Sequence, residues 1–355
     1  MKINPKVWSK LGTRAVFGLT MLEMAKKYDN LMVLTGDVAP SAGLSRFKEQ
    51  FPNKFIDVGI MEQNIMNIAA GFASEGYKVV VATFAPFMTM RCLEQIRINC
   101  GYMNLPITMV GLASGLVLGQ LGPSHTCIED IGVLRSIPNM TILSPADCVE
   151  TALAVEAAIE HDGPVYVRLT GGKNCPMVYN ETHKFGIRKA SYVELGTKPT
   201  NEEACVNTHI YFLVTGTVLS NVITVAKKLA AFHVEVTVVN FPTIKPLDTD
   251  ILKEILERTE EGDMLIAVEE HNIIGGLGSA IAECIAKDCC NWPQFHQMGV
   301  QDAYNKVGSY EHLLDVNGLS VNAMLNSLLN DDKYDLGFFI ADAGVEAYLR
   351  EYGSE

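Results

Sequence analysis

The chain has 355 residues, which at about 150 residues per domain points to two or three domains. Forty-eight per cent of them are apolar and 19% charged, so a sizeable core can be buried and disorder as the main state is excluded. Lys and Arg number 28 against 41 Asp and Glu; the net charge of −13 repels phosphate backbones and argues against nucleic acid as a partner.

The chain opens with MKINPKVWSKLGTR, whose lysines are followed by no long apolar run, so no signal peptide is expected. The nine cysteines are odd in number and show no C-x-x-C spacing, which suits reduced thiols and a cytoplasmic protein better than a disulfide framework or a zinc site. Short apolar runs at 30–37, 78–85, 105–111, 139–147 and 163–169 read as strands. Between them, helical patterns run over 13–27, 62–74, 89–100, 128–136 and 148–160. Strand, helix, strand in this rhythm implies a parallel sheet covered on both faces. Residues 98–128 contain no Asp, Glu, Lys or Arg, but LPITMV followed by dense glycine and interrupting polar residues reads as a buried strand entering a loop, and no membrane span is expected.

Residues 171–208 are polar and turn-rich and break the rhythm. Strands at 209–216, 234–241 and 263–270 then alternate with helices at 218–231, 248–257 and 278–287. The fold class expected is α/β, with two three-layer domains that each hold a mostly parallel sheet. The divisions are 1–175, a linker with the start of the second domain at 176–208, the second domain at 209–330, and an acidic tail at 331–355.

Most single motifs have plain readings. Asp147 in Ser144-Pro145-Ala146-Asp147 precedes a helix and reads as its N-cap. Gly275-Gly276-Leu277-Gly278 lies between a strand and a helix as dinucleotide loops do, but Ile281 stands where the third glycine belongs. Glu62 begins a helix that is otherwise nearly uncharged, where the dipole favours a carboxylate without any catalytic demand. His125 ends the glycine-rich loop, and Phe84 and Phe87 follow a strand, where plain core packing accounts for them.

Together they carry more. Gly36-Asp37, Gly59-Ile60-Met61-Glu62-Gln63, Thr83-Phe84-Ala85-Pro86-Phe87, Gly122-Pro123-Ser124-His125, Pro138-Asn139 and Pro145-Ala146-Asp147 occur in an order that resembles the transketolase family over about 10–320, with VEEHNIIGGLG at 268–278 extending the match. The resemblance is to its thiamine-diphosphate pyrimidine-binding domain and its C-terminal domain. The G-D-G motif of the family's pyrophosphate-binding domain is missing: Gly36-Asp37-Val38 and Gly262-Asp263-Met264 both lack the third glycine. The chain therefore looks like the C-terminal subunit of a split transketolase.

The resemblance implies a transferase that moves a two-carbon ketol unit from a ketose donor to an aldehyde acceptor. Its cofactor is thiamine diphosphate, with the divalent metal (Mg or Ca) held by a separate N-terminal subunit, in an α2β2 assembly built on a two-fold dimer. By resemblance Glu62 bonds the pyrimidine ring nitrogen, Phe87 stacks on that ring, Phe84 lines the pocket, His125 contacts substrate hydroxyls, and Arg14 with Ser41 clamps the sugar phosphate. This chain supplies no metal ligand. Four positions depart from the family: Leu121 replaces an acid, Ala113 a histidine and Met90 a tyrosine, and the second phosphate arginine falls near Gly171, with Arg168 and Lys173 close by. These changes thin out the sugar-reading groups, which alters donor discrimination. A decarboxylating relative, like deoxyxylulose-phosphate synthase or a 2-oxoacid dehydrogenase β subunit, and a scaffold without catalysis are the alternatives.

Overall fold

A computed structural model describes residues 4–193, 208–232, 234–288, 294–331 and 334. Part of the linker, at 194–207, and nearly all of the acidic tail lie outside the described residues.

Alternation of chain and turn builds β1 (Leu31–Thr35), β2 (Phe55–Asp57), β3 (Lys78–Phe84), β4 (Ile107–Leu112), β5 (Thr141–Leu143) and β6 (Val165–Arg168). The later strands are β7 (Ser191–Tyr192), β8 (His209–Thr215), β9 (Glu235–Asn240), β10 (Thr243–Lys245), β11 (Met264–Asn272) and β12 (Gln294–Val300). They form a seven-stranded sheet in the order β10-β5-β6-β4-β3-β1-β2 and a five-stranded sheet in the order β12-β11-β8-β9-β7. Within each, the pairs are parallel except at one edge, where β10 runs against β5 and β7 against β9. The expected α/β class with two mostly parallel sheets is the one observed. The edge strand β10 follows β9 in the chain yet pairs into the first sheet, so the backbone itself ties the two sheets.

Every residue of β1 and β4 is buried, as strands covered on both faces require. Val33, Val80, Val110 and Val167 pack beneath Phe17, Met21 and Val155, from the helices Thr13–Lys27 and Cys148–Glu160. Leu34, Val81 and Met109 face the other way, onto Ile65, Met66 and Ala69 of the helix Glu62–Ser74. The same apolar cluster continues into the second sheet through Leu213, Val239 and Leu265.

Three helices match their sequence spans to the residue; the one expected over 89–100 does not. The chain turns helical earlier, at Ala85–Thr89, breaks, and resumes at Leu93–Ile96 before a wider turn over Arg97–Tyr102. Pro86 explains the early start, since proline suits the first turn of a helix. The strands β2, β7, β10 and β12 and the helices Pro5–Leu11, Ser45–Gln50, Tyr310–Val316 and Val321–Asn330 were also not marked by the sequence pattern.

Asp147 is the N-cap that its sequence position predicts. Its Oδ1 accepts from Glu150 N at 2.8 Å and so caps the helix Cys148–Glu160. Its Oδ2 accepts from Val178 N and Tyr179 N, at 3.0 and 2.8 Å. One carboxylate thus serves three backbone donors in a site 1% exposed. Asp147→Ala is expected to cost about 2–3 kcal/mol, the loss of a cap plus two stranded, part-buried donors, read as a lower urea midpoint at unchanged slope.

Candidate functional site

Because β1, β2, β3, β4 and β6 are parallel, their C-terminal ends open along one edge of the sheet. Such an edge is where open α/β sheets bind ligands. Most of the residues marked in the sequence leave from it: Asp37 and Ser41 after β1, Glu62 after β2, Phe84 and Phe87 at the end of β3, and His125 on the long loop after β4. Asp57 stiffens the first two turns, its Oδ1 accepting from Asp37 N at 2.8 Å and Gly59 N at 3.1 Å.

Glu62 is the first residue of its helix. Positions 62, 65, 69 and 73 share one helical face, and the other three are apolar and buried, so the helix turns the carboxylate inward. Glu62 is 4% exposed. The Cys92 thiol donates to Glu62 O at 3.0 Å and fixes the backbone from inside. Burial, and then the Glu62 charge, push that thiol up to about 12, so it stays a donor.

Through Arg91 the carboxylate is linked to a cluster of aromatic rings. Phe84 and Phe87 meet edge to face with centroids 6.1 Å apart, and the His125 ring stands edge-on to both, at 6.2 and 5.3 Å. All three rings remain partly open. Ser124 Oγ lies 2.9 Å from His125 Nδ1 and fixes the ring's orientation. Arg91 completes the group: its Nη1 donates to Glu62 Oε1 at 2.6 Å, and its guanidinium carbon sits 3.9 Å from the centre of the Phe87 ring. The structure therefore brings Glu62, Phe84, Phe87 and His125 together, around a cation that the sequence reading passed over. A signal was present: Arg91 is the first charge after Lys78, as Glu62 is the last before Glu75, two opposite charges in otherwise uncharged stretches.

Arg14 and Ser41 line a cavity of their own. Gly12 packs so close to the 171–173 turn that an added Cβ would meet Gly172 O at 2.4 Å. That approach sets Arg14, Ser41 and Lys173 around a cavity of about 200 Å3. Arg14 Nη1 lies 3.4 Å from its acceptor, Ser41 O. Burial draws the Arg14 guanidinium below its ordinary value, though an arginine remains charged at neutral pH. Two cations and a hydroxyl suit a bound anion.

Arg168 is elsewhere: it is 1% exposed and its Nε donates to Asp130 Oδ2 at 2.9 Å. Of the divergent positions, Leu121 and Met90 are exposed apolar side chains, while Ala113 is fully buried with φ +51°. The Gly275–Gly278 loop closes itself to phosphate. Glu269 accepts from Leu277 N at 2.7 Å and Gly278 N at 2.9 Å, so a carboxylate already occupies the helix N-terminus. Gly276 is needed there, since a Cβ would fall 1.9 Å from Glu269 Oε2. Among the described residues no helix is long and apolar enough to cross a membrane, and no three His, Cys, Asp or Glu side chains are grouped to hold a metal ion.

Residues 9–175 match the family described as "Transketolase, pyrimidine binding domain" and residues 202–324 the one described as "Transketolase, C-terminal domain". A protein of Methanocaldococcus jannaschii named as a transketolase C-terminal section is 32% identical, over 91% of this chain and 96% of its own length. The 6-deoxy-6-sulfo-D-fructose transketolase subunit of a Clostridium species is 30% identical, over 86% of this chain and 90% of its own. Among solved structures, one described as a split gene transketolase, an inactive beta4 tetramer, is similar with a TM-score of 0.76 at 29% identity, covering 90% of this chain and 97% of its own. Relatives of nearly its own length match both of its sheets, and the chain belongs to the transketolase family, of which it carries the pyrimidine-binding and C-terminal domains.

Proposed function

We propose that the chain is a thiamine-diphosphate-dependent transketolase subunit that moves a two-carbon ketol unit from a ketose donor with an anionic end to an aldehyde acceptor. It works with a separate pyrophosphate-binding subunit, to which the reading assigns the pyrophosphate and its Mg or Ca ion. Two copies of each chain form an α2β2 assembly around a two-fold axis. In this proposal the assembly acts in the cytoplasm.

The observation that carries this reading is a carboxylate 4% exposed whose side-chain partner, the half-exposed Arg91 guanidinium, also lies over the Phe87 ring. A planar ring that stacks and hydrogen-bonds suits that pair of contacts, a flat face and a buried acceptor. Thiamine diphosphate, when bound, supplies the nucleophilic carbon and electron sink for cleavage beside the donor carbonyl. Glu62 would hold the proton-bearing ring nitrogen, in a dry setting where such a bond is strengthened. Phe87 would stack against the ring, and Phe84 would line the same pocket and exclude water. His125 would bond substrate hydroxyls near the reacting carbonyl. Arg14 and Ser41, with Lys173, would hold the anionic end of the donor.

Co-expression with the N-terminal subunit, followed by a thiamine-dependent donor screen, tests the reading. Transfer from an anionic ketose to an aldehyde supports it; pyruvate consumption with release of carbon dioxide would instead favour the decarboxylating class. The isolated chain is expected to bind thiamine diphosphate weakly or not at all. Titration calorimetry checks this, and micromolar, magnesium-dependent binding by the chain alone contradicts the shared site.

A further inference from the structure

The Arg91 side chain makes the two contacts that the aminopyrimidine of the cofactor needs. It is planar and cationic, lies 3.9 Å over the Phe87 ring, and donates to Glu62 Oε1 at 2.6 Å. We propose that Arg91 is a built-in stand-in for the aminopyrimidine, seated on Phe87 and Glu62 in the cofactor-free chain and displaced when the cofactor binds. This rests on the reading of Glu62 and Phe87 as the pyrimidine site.

The asymmetry of the pair supports displacement. The Glu62 side chain is 4% exposed and that of Arg91 44%, so the carboxylate is fixed in the protein and the guanidinium reaches it from the open side. Glu62 is anchored inside, by its place on the buried helix face and by the Cys92 thiol on its carbonyl. Arg91 stands on the break between the helices Ala85–Thr89 and Leu93–Ile96, on a long side chain that can swing without disturbing the core. A buried carboxylate without a partner is costly, so a removable cation gives the empty site a stable form. That stability is a tax on cofactor binding, because only the fraction with Arg91 swung away is competent.

A merely structural ion pair and a stand-in predict different signs. If Arg91 stays on Glu62 in both states, removing it destabilises both, and cofactor affinity is unchanged or falls. If Arg91 must leave, removing it destabilises only the empty site, and affinity rises. The test uses the reconstituted two-subunit complex, stripped of cofactor and titrated with thiamine diphosphate and magnesium by calorimetry. Arg91→Met is expected to bind about three- to tenfold tighter, the scale of one charge-assisted hydrogen bond discounted for the exposure of Arg91, and to unfold at a lower temperature without cofactor. Arg91→Lys, which keeps the charge but not the plane, is expected to lie between and covers the case in which Arg91→Met does not assemble. Unchanged or weaker binding in the assembled variant overturns the proposal. Glu62→Gln separates the two readings. If it binds cofactor and exchanges the thiazolium proton as wild type does, the pyrimidine site is misassigned and the proposal falls with it. If Glu62→Gln is impaired and the Arg91 variants bind no tighter, the site stands and only displacement is refuted.

Discussion

Glu62→Gln in the reconstituted complex is expected to slow exchange of the thiazolium C2 proton of bound thiamine diphosphate by about 10²-fold or more, the scale for removing one preorganised electrostatic group. Glutamine keeps the shape and part of the hydrogen bonding but not the charge that stabilises a protonated ring nitrogen. The setting makes that charge matter: Glu62 is 4% exposed, and fixed charges act most strongly where water is excluded. A helix-end role alone predicts something else, a stability loss of a few tenths to about 1 kcal/mol with exchange unaffected. Hydrogen–deuterium exchange read by NMR, together with thermal unfolding of the same variant, distinguishes the two. Wild-type exchange with cofactor bound would reject the role on which the proposed function is built.

The largest effect on stability is expected at Arg168. Its Nε donates to Asp130 at 2.9 Å, and its Nη2 donates to Cys127 O at 3.3 Å and to Glu270 O at 2.8 Å. Tyr166 Oη adds a 2.7 Å bond to Asp130 Oδ2. Asp130 is fully buried and Arg168 1% exposed. One guanidinium thus joins β6 of the first sheet to β11 of the second and to the end of the loop that carries His125. Glu270 works from the other side, accepting from Leu116 N of the same loop at 2.7 Å and from Tyr310 Oη at 2.6 Å. Arg168→Met is expected to cost about 3–5 kcal/mol, because it leaves Asp130 as an uncompensated buried charge and strands two carbonyls. A large fall in the denaturant midpoint checks this. A loss under about 1 kcal/mol would mean that water reaches Asp130 and that the joint is looser than the structure shows.

Much of the architecture was written in local pattern. Apolar runs flanked by turns marked β1, β3, β4, β5, β6, β8, β9 and β11, because strands buried on both faces need continuous apolar chain. Helices such as Glu62–Ser74 and Cys148–Glu160 were legible from their periodicity, and Asp147 from its cap position. Apart from the ten-residue helix Val321–Asn330, what escaped was short or edge structure. β2 and β10 have three residues each and pair only because a sheet edge is waiting, which no local window contains. The break near Arg91 was hidden for the same reason: helical pattern runs through it, and the packing around Phe87 and Cys92 decides where the chain turns.

The sequence by itself determined the fold class and the order of the motifs; position 62 was legible as the start of a helix, and the structure shows that its carboxylate turns onto the buried face. Tertiary structure alone decided who partners whom. Arg168 was legible as a cation near the Gly171 turn, but folding buries it against Asp130, 38 residues earlier, and lines the cavity at that turn with Arg14 and Lys173. Glu269 was legible as an acid before a glycine loop, but only the fold sets its carboxylate on Leu277 N and Gly278 N. Arg91 and Glu62, 29 residues apart, meet because parallel β2 and β3 both deliver their C-terminal ends to one edge. Periodicity acts over one helical turn and capping over a few residues, whereas an ion pair or a ligand wall depends on chain closure over tens to hundreds of residues, which sequence spacing does not encode.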